Sequence, residues 1–288
     1  MKKLLQLDII FTFILMVWGG VVRSAGAGLA CPDWPLCHGR FLPPIRVDIV
    51  LEMTHRLLAS LVVFLTLALL ILIVRDNNLK EKYLKLVVSA FILLIAQAVL
   101  GGVTVLAGTP HYFVTFHLGV ALIFFSLLLS MWLRLSNPSV IPAKAGIQTF
   151  TILLLLLIYI QILVGGVVAS SHAGLICGPE FPKCLGVWVP HFFDYRIVFH
   201  FLHRILAYVV FIFVVGFTIY GFKQAIPSKL KSALFGILGI TLFQLALGIG
   251  NVMFALPYAV RVLHLAFAIG LFTMVYVMLY KLRFTMSS

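Results

Sequence analysis

Four histidines lie inside apolar stretches of the sequence, at His55, His117, His203 and His264. Each stands about one to two helical turns from one end of its hydrophobic run. An ionisable side chain inside a membrane span is costly and therefore indicates function. Two imidazoles at one depth of a helix bundle are what axial ligation of a haem iron requires. The alternative is a histidine at a helix end that hydrogen-bonds a backbone carbonyl, and a fourfold recurrence disfavours it.

The histidines belong to an internal repeat. The segment Gly19-Gly20-Val21-Val22 returns at residues 165–168, and His55-Arg56 returns as His203-Arg204. Gln97, Gly101 and His117 return in the same order as Gln244, Gly248 and His264. The displacement stays between 146 and 148 residues, which is typical of a duplicated unit with small loop insertions.

The residue three positions before each first histidine differs between the two copies. It is Glu52 before His55 and His200 before His203. These residues share a helix face with their histidines. A carboxylate beside a reacting group could accept a proton or stabilise positive charge. The sequence therefore predicts chemistry in the Glu52 half, and electron transfer or a structural role in the His200 half.

Other polar residues accompany the histidines. Arg56 and Arg204 would lie in the dry part of a span, where a guanidinium needs an anion such as a haem propionate. Snorkelling toward water is the alternative interpretation. Gln97 and Gln244 could contact a cofactor or could brace neighbouring helices.

Composition places these residues in a membrane protein. The chain is 63% hydrophobic and 10% charged, with mean hydropathy +1.17, whereas a soluble domain carries about 25% charged residues. Apolar runs of about 20 residues predict helices rather than barrel strands. We predict an all-α integral membrane protein with two four-helix bundles arranged as parallel repeats. The eight predicted spans are roughly 8–22, 49–74, 84–107, 113–134, 149–168, 196–222, 232–255 and 261–280.

The net charge of +13 indicates topology. Lysine and arginine cluster at one side of the predicted spans, so that side and both termini are predicted to be cytoplasmic. Residues 23–48 and 169–195 then form long outer loops. The predicted organisation is an N-terminal repeat at 1–135, a cytoplasmic linker at 136–148 and a C-terminal repeat at 149–288. No basic face interleaved with aromatic residues indicates nucleic-acid binding.

Each long loop contains one cysteine pair, Cys31 with Cys37 and Cys177 with Cys184. The predicted outer side is oxidising, which permits disulfides. The spacing suits neither a CxxC zinc site nor a CxxCH haem attachment. We predict two disulfides, with redox-active thiols and metal ligation as the alternatives.

The ordered set of these residues resembles the haem A synthases, and the resemblance covers nearly the whole chain. Its most specific elements are Glu52-Met53-Thr54-His55-Arg56, the His203-Arg204 pair, His117, His264 and the first cysteine pair. The resemblance implies oxidation of the C8 methyl of haem O to a formyl group, giving haem A for cytochrome oxidase. It implies a haem b cofactor on His203 and His264, and substrate haem at His55 and His117 in the N-terminal half.

The resemblance also implies partners. No flavin or nicotinamide motif is present, so an unidentified external electron acceptor is needed. Haem O synthase and cytochrome oxidase assembly proteins are expected partners, in the inner membrane of a bacterium. Two other functions remain open: a di-haem b-type electron-transfer protein and a haem transporter or chaperone. The electron carrier would not need Glu52, and a transporter should release haem more readily than paired histidines allow.

Overall fold

The structure, a computed structural model, describes residues 1–136, 145–223 and 228–282. Within these ranges it is all-helical, with eight helices long and apolar enough to cross a membrane. This confirms the predicted fold class and the number of spans. The helices are α1 (Lys2–Ser24), α2 (Val47–Arg75), α3 (Asn77–Leu106), α4 (His111–Ser136), α5 (Ala145–Ser170), α6 (Tyr195–Lys223), α7 (Ser228–Met253) and α8 (Tyr258–Lys281).

Local sequence signals explain the tight connections between the helices. The Asp76 side chain accepts hydrogen bonds from the backbone N–H groups of Asn78 and Leu79, so it caps α3 directly after α2. Pro110 and Pro257 precede α4 and α8, and their carbonyl oxygens accept the first helical hydrogen bonds. Proline suits this position because the first turn of a helix leaves its N–H groups unpaired.

The chain divides into two compact units. Unit 1 comprises α1–α4 and unit 2 comprises α5–α8. In unit 1, α1 and α3 each pack against α2 and α4; in unit 2, α5 and α7 each pack against α6 and α8. Each unit is therefore a closed four-helix bundle with the same order of neighbours. The predicted linker, 136–148, includes the end of α4 and the start of α5, and residues 137–144 lie outside the described part of the chain. The parallel arrangement of the repeats stays a prediction.

The first long loop joins α1 to α2 and the second joins α5 to α6. Both predicted disulfides, Cys31–Cys37 and Cys177–Cys184, are present. The second cysteine of each pair opens a tight turn, closed by backbone hydrogen bonds with the residue three positions later. The third residue of each turn is a glycine with positive φ, at 71° and 80°, which a residue without Cβ adopts easily. We call the end of each bundle that bears its long loop the loop end.

Candidate functional site

The four histidines occupy matched depths in the two bundles. His55 and His203 each lie eight residues after the first residue of their helices, α2 and α6. His117 and His264 each lie six residues after the first residue of α4 and α8. At 1.5 Å per residue, these positions are about 12 Å and 9 Å from the loop end. Each bundle thus brings one histidine pair to a common level.

Each histidine ring lies against a glycine of the preceding helix. A Cβ atom built on that glycine would stand 2.8–3.4 Å from the ring Cε1 atom. The four glycine–histidine pairs are Gly19 with His55, Gly101 with His117, Gly165 with His203 and Gly248 with His264. We refer to these glycines as the notch glycines. They do more than let helices approach, because they provide the space in which the imidazoles are held.

Glutamines fix the backbone of the histidines rather than their rings. Nε2 of Gln97 donates to the carbonyl oxygen of His117 at 2.6 Å, and Nε2 of Gln244 donates to that of His264 at 2.9 Å. This bracing is one of the two roles that the sequence left open.

A third glutamine was missed in the sequence. Nε2 of Gln161 donates to the carbonyl oxygen of His203 at 3.0 Å. A signal for it existed, because each of the three glutamines lies four residues before a notch glycine. The first copy has Leu15 at that position, so the repeat alone did not reveal the pattern.

The geometry of unit 2 fits a haem iron. The rings of His203 and His264 are 6.4 Å apart between centroids, with planes at 78°. Two metal–nitrogen bonds of about 2 Å and a ring radius of about 1 Å give roughly 6 Å for imidazoles that share a metal. Nδ1 of all four histidines is buried without a hydrogen-bond partner. In the described residues no group of three or more His, Cys, Asp or Glu side chains could hold a metal, and haem iron needs only two axial ligands.

The carboxylate of Glu52 is held from two sides in unit 1. Its Oε1 pairs with Nη2 of Arg56 at 2.6 Å, and its Oε2 accepts a hydrogen bond from the backbone N–H of Cys31 at 2.8 Å. Arg56 also donates to the carbonyl oxygens of Asp33 and Leu36. Glu52 is therefore tied to the disulfide-closed loop, and the charge of Arg56 is already neutralised by a carboxylate.

In unit 2 the residue that corresponds to Glu52 is His200, and it pairs with Arg204 as a neutral imidazole. Nε of Arg204 donates to Nε2 of His200 at 3.1 Å. Since Nε2 accepts this hydrogen bond, the ring proton lies on Nδ1, which donates to the carbonyl oxygen of Ala173 at 2.8 Å. Nη2 of Arg204 is buried without a partner. The predicted propionate contact therefore finds an available donor at Arg204, whereas Arg56 is engaged by Glu52 and the loop.

The first long loop is fixed over the bundle by polar and apolar contacts. The Asp33 carboxylate accepts hydrogen bonds from the backbone N–H groups of Gly39, at 2.7 Å, and His38, at 2.6 Å. The hydrogen bond from Gly39 has the larger effect, and together these bonds lower the pKa of Asp33 below its ordinary value. The Trp34 ring packs on α3 at Gly102, where a Cβ atom would come within 2.7 Å of it. A glycine at position 102 is thus required for Trp34 to pack against α3.

Comparisons with known proteins identify the family of this chain. A haem A synthase of Shewanella oneidensis is 27% identical over 91% of this chain and 90% of that protein. Those of Bacillus pumilus and Rickettsia felis are 31% identical over 62% of both chains and 25% identical over 95% of both chains, respectively. The sequence model of the COX15-CtaA family, described as cytochrome oxidase assembly protein, matches residues 2–51 and 46–276. With matches over nearly its whole length, the chain belongs to the COX15-CtaA family of cytochrome oxidase assembly proteins.

Proposed function

We propose that this chain is a haem A synthase, which oxidises the C8 methyl group of haem O to a formyl group through hydroxylated intermediates. The observation that carries the proposal is the difference in charge between two sites that share the same histidine and glycine positions. Unit 1 has the ion pair Glu52–Arg56, and unit 2 has His200–Arg204 with a neutral imidazole. A di-haem electron carrier would have no need for a carboxylate at one of its two sites. The names of the three relatives support the same function.

The two units have different tasks in this proposal. Unit 1 binds the substrate haem with His55 and His117, and unit 2 binds haem b with His203 and His264. When bound, haem b supplies one-electron transfer. The notch glycines and the glutamines orient the imidazoles, and Arg204 offers its unpartnered Nη2 to a propionate.

Glu52 is the proposed proton acceptor beside the substrate. With water as the proposed source of oxygen, oxidation of the methyl group to the alcohol and of the alcohol to the gem-diol each release two protons and two electrons. The gem-diol then loses water to give the aldehyde. The carboxylate of Glu52 is held in one orientation by Arg56 and by the backbone N–H of Cys31. Such positioning is what general base catalysis requires. His200, which donates to Ala173 and accepts from Arg204, has no free basic nitrogen for this purpose.

The remaining requirements lie outside the chain. The conversion comprises two successive two-electron oxidations, so we propose an external electron acceptor. Haem O synthase is the proposed supplier of substrate, and cytochrome oxidase assembly proteins are the proposed recipients of haem A. The basic residues at the ends opposite the long loops support a cytoplasmic location for both termini by the positive-inside rule. The proposed location is the inner membrane of a bacterium.

Mass spectrometry of haems from a host that makes haem O tests the function. We expect haem A, or its hydroxylated precursor, only when the chain is expressed. The variant Glu52→Gln should lose at least 100-fold in haem A formation, on the order of general base catalysis, while the protein retains its haem b. His200→Gln at the matched position serves as the control and should retain most activity.

Two outcomes would contradict the proposal in different ways. A folded, haem-containing protein that yields only haem B and haem O, although electron acceptors are supplied, would favour the electron carrier. Full activity of Glu52→Gln with unchanged haem content would remove the carboxylate from the mechanism and leave the synthase function standing.

A further inference from the structure

A second buried carboxyl group lies in unit 1, at the end opposite the long loop. Asp8 is on α1, about two turns from the start of the helix, and its side chain is 0% exposed. Its Oδ2 accepts a hydrogen bond of 2.9 Å from the hydroxyl group of Thr66 on α2. Its Oδ1 is buried and has no hydrogen-bond partner. Nothing in the proposed haem chemistry uses this residue.

A hydroxyl group without a partner lies one helical turn away. Thr12 follows Asp8 by four residues, so the two side chains share one face of α1. Thr12 is 2% exposed, and its Oγ1 is also buried without a hydrogen-bond partner. Two buried oxygens on one helix face that both lack a partner are uncommon inside a protein, because an unmade hydrogen bond is costly there.

The repeat shows that packing alone does not require these polar groups. At the displacement of 146 residues that relates Gly19 to Gly165, Asp8 and Thr12 correspond to Leu154 and Ile158. At the displacement of 148 residues that relates His55 to His203, Thr66 corresponds to Val214. The three counterparts are buried, at 0%, 3% and 0% exposure. The same bundle position is thus built from aliphatic side chains in unit 2, and the polar cluster is confined to the unit that carries Glu52.

No basic side chain compensates a negative charge on Asp8. None of the ion pairs among the described residues includes it. Arg75 lies nine residues beyond Thr66, which is about 13 Å along α2. The charged side chains at this end of the bundle are all exposed, and Tyr83 of the same core is buried. The exposed ones are Lys2, Lys3, Arg75, Asp76, Lys80, Glu81, Lys82, Lys85 and Arg134. An isolated carboxylate in such surroundings is strongly disfavoured.

We propose that Asp8, Thr12 and Thr66 form a proton-binding site within unit 1. The proton resides on Oδ1 of Asp8 and is donated through one bridging water molecule to Oγ1 of Thr12. Oδ2 is then the carbonyl oxygen that accepts from Thr66. This assignment gives every buried oxygen of the cluster a partner and removes the uncompensated charge. The proposal is independent of the haem chemistry.

Infrared difference spectroscopy, which compares the purified protein in lipid in H₂O with the same protein in D₂O, tests this site directly. The chain has only eight acidic side chains, so a single protonated carboxyl group is resolvable. We expect a C=O band of a protonated carboxyl at neutral pH, shifted in D₂O, in the wild type and in the control Glu52→Gln. The band should be absent in Asp8→Asn, and it should move in Thr66→Val because the carbonyl loses its hydrogen bond.

Asp8→Leu reproduces the residue found in unit 2 and guards against loss of the fold. It should fold, as judged by a monodisperse elution profile, and should lack the band. The proposal is overturned if the wild type shows no such band, or if the band persists in Asp8→Asn or Asp8→Leu. A band lost with Asp8 but unmoved in Thr66→Val would overturn the assignment of Thr66. None of these results depends on whether haem A is formed.

Discussion

The notch glycine Gly165 gives the sharpest test of the histidine geometry. A Cβ atom at this position would lie 2.8 Å from Cε1 of His203, whereas ordinary contact begins at 3.4 Å. In Gly165→Ala the ring must move by about 0.6 Å, which exceeds the tolerance of about 0.5 Å typical of a functional site. Overpacking of this kind costs about 1–3 kcal/mol. If the whole cost falls on haem binding, affinity in unit 2 drops roughly 5- to 140-fold.

The assay measures haem b per protein and its rate of transfer to an excess of a haem-scavenging globin. Gly216→Ala is the matched control on α6, because a Cβ atom there meets nothing within 4 Å. Gly248→Ala provides a graded comparison, since its Cβ atom would lie at 3.4 Å from His264. We expect fast haem loss in Gly165→Ala, slight loss in Gly248→Ala and none in Gly216→Ala.

One result would refute the reasoning. If Gly165→Ala keeps haem as long as Gly216→Ala does, with the same bis-histidine optical spectrum, then His203 is not held at its ligand position by the glycine notch. Equal thermal stability of the two variants, measured without haem, would show that any difference arises at the haem site and not in the fold.

Three further predictions concern the bracing glutamine and the first long loop. Gln161→Leu removes the hydrogen bond to the carbonyl oxygen of His203, worth about 0.5–1.5 kcal/mol, and should raise the haem b dissociation rate roughly 2- to 12-fold; an unchanged rate would contradict the bracing role. Gly102→Val should displace Trp34 and expose the loop, so limited proteolysis between α1 and α2 should become faster, while unchanged cleavage would contradict this contact. The lowered pKa of Asp33 means that its hydrogen bonds stabilise the loop at neutral pH, and this contribution is lost as the pH falls through the lowered pKa. Cleavage of the loop by an acid-active protease should therefore become faster in that pH range. The rate of cleavage of Asp33→Asn should depend less on pH.

The helices could be predicted because each depends on local sequence. A run of about 20 apolar residues has few alternatives in a membrane, and the two copies support each other's assignments. The ends were less predictable. The first span was expected from residue 8, yet α1 begins at Lys2, because charged residues at a helix end can extend into water without breaking the helix.

The pairing of the histidines at one level could be predicted because repetition marks these residues, whereas the residues around them could not be predicted. Arg56 contacts carbonyl oxygens of a loop about 20 residues away, and the path of that loop cannot be read from spacing. Asp8 was missed for a related reason. Its partner, Thr66, lies 58 residues further along the chain, and a single acid in an apolar run has no local pattern.

In the proposed function, the differences between the two units separate the binding of the haem cofactor from the oxidation of the substrate haem. Both units hold their histidines in glycine notches, and we propose this shared frame as the haem-binding part of each unit. Around the frame, unit 1 has a neutral ion pair at Glu52–Arg56, whereas unit 2 leaves the charge of Arg204 without a carboxylate. A buried cation with a free donor stabilises a permanently bound dianionic ligand. In the same proposal, the carboxylate tied to the loop provides a base at the site whose ligand must enter and leave. The proposed division of labour therefore rests on the different charges that the duplicated halves carry beside their histidines.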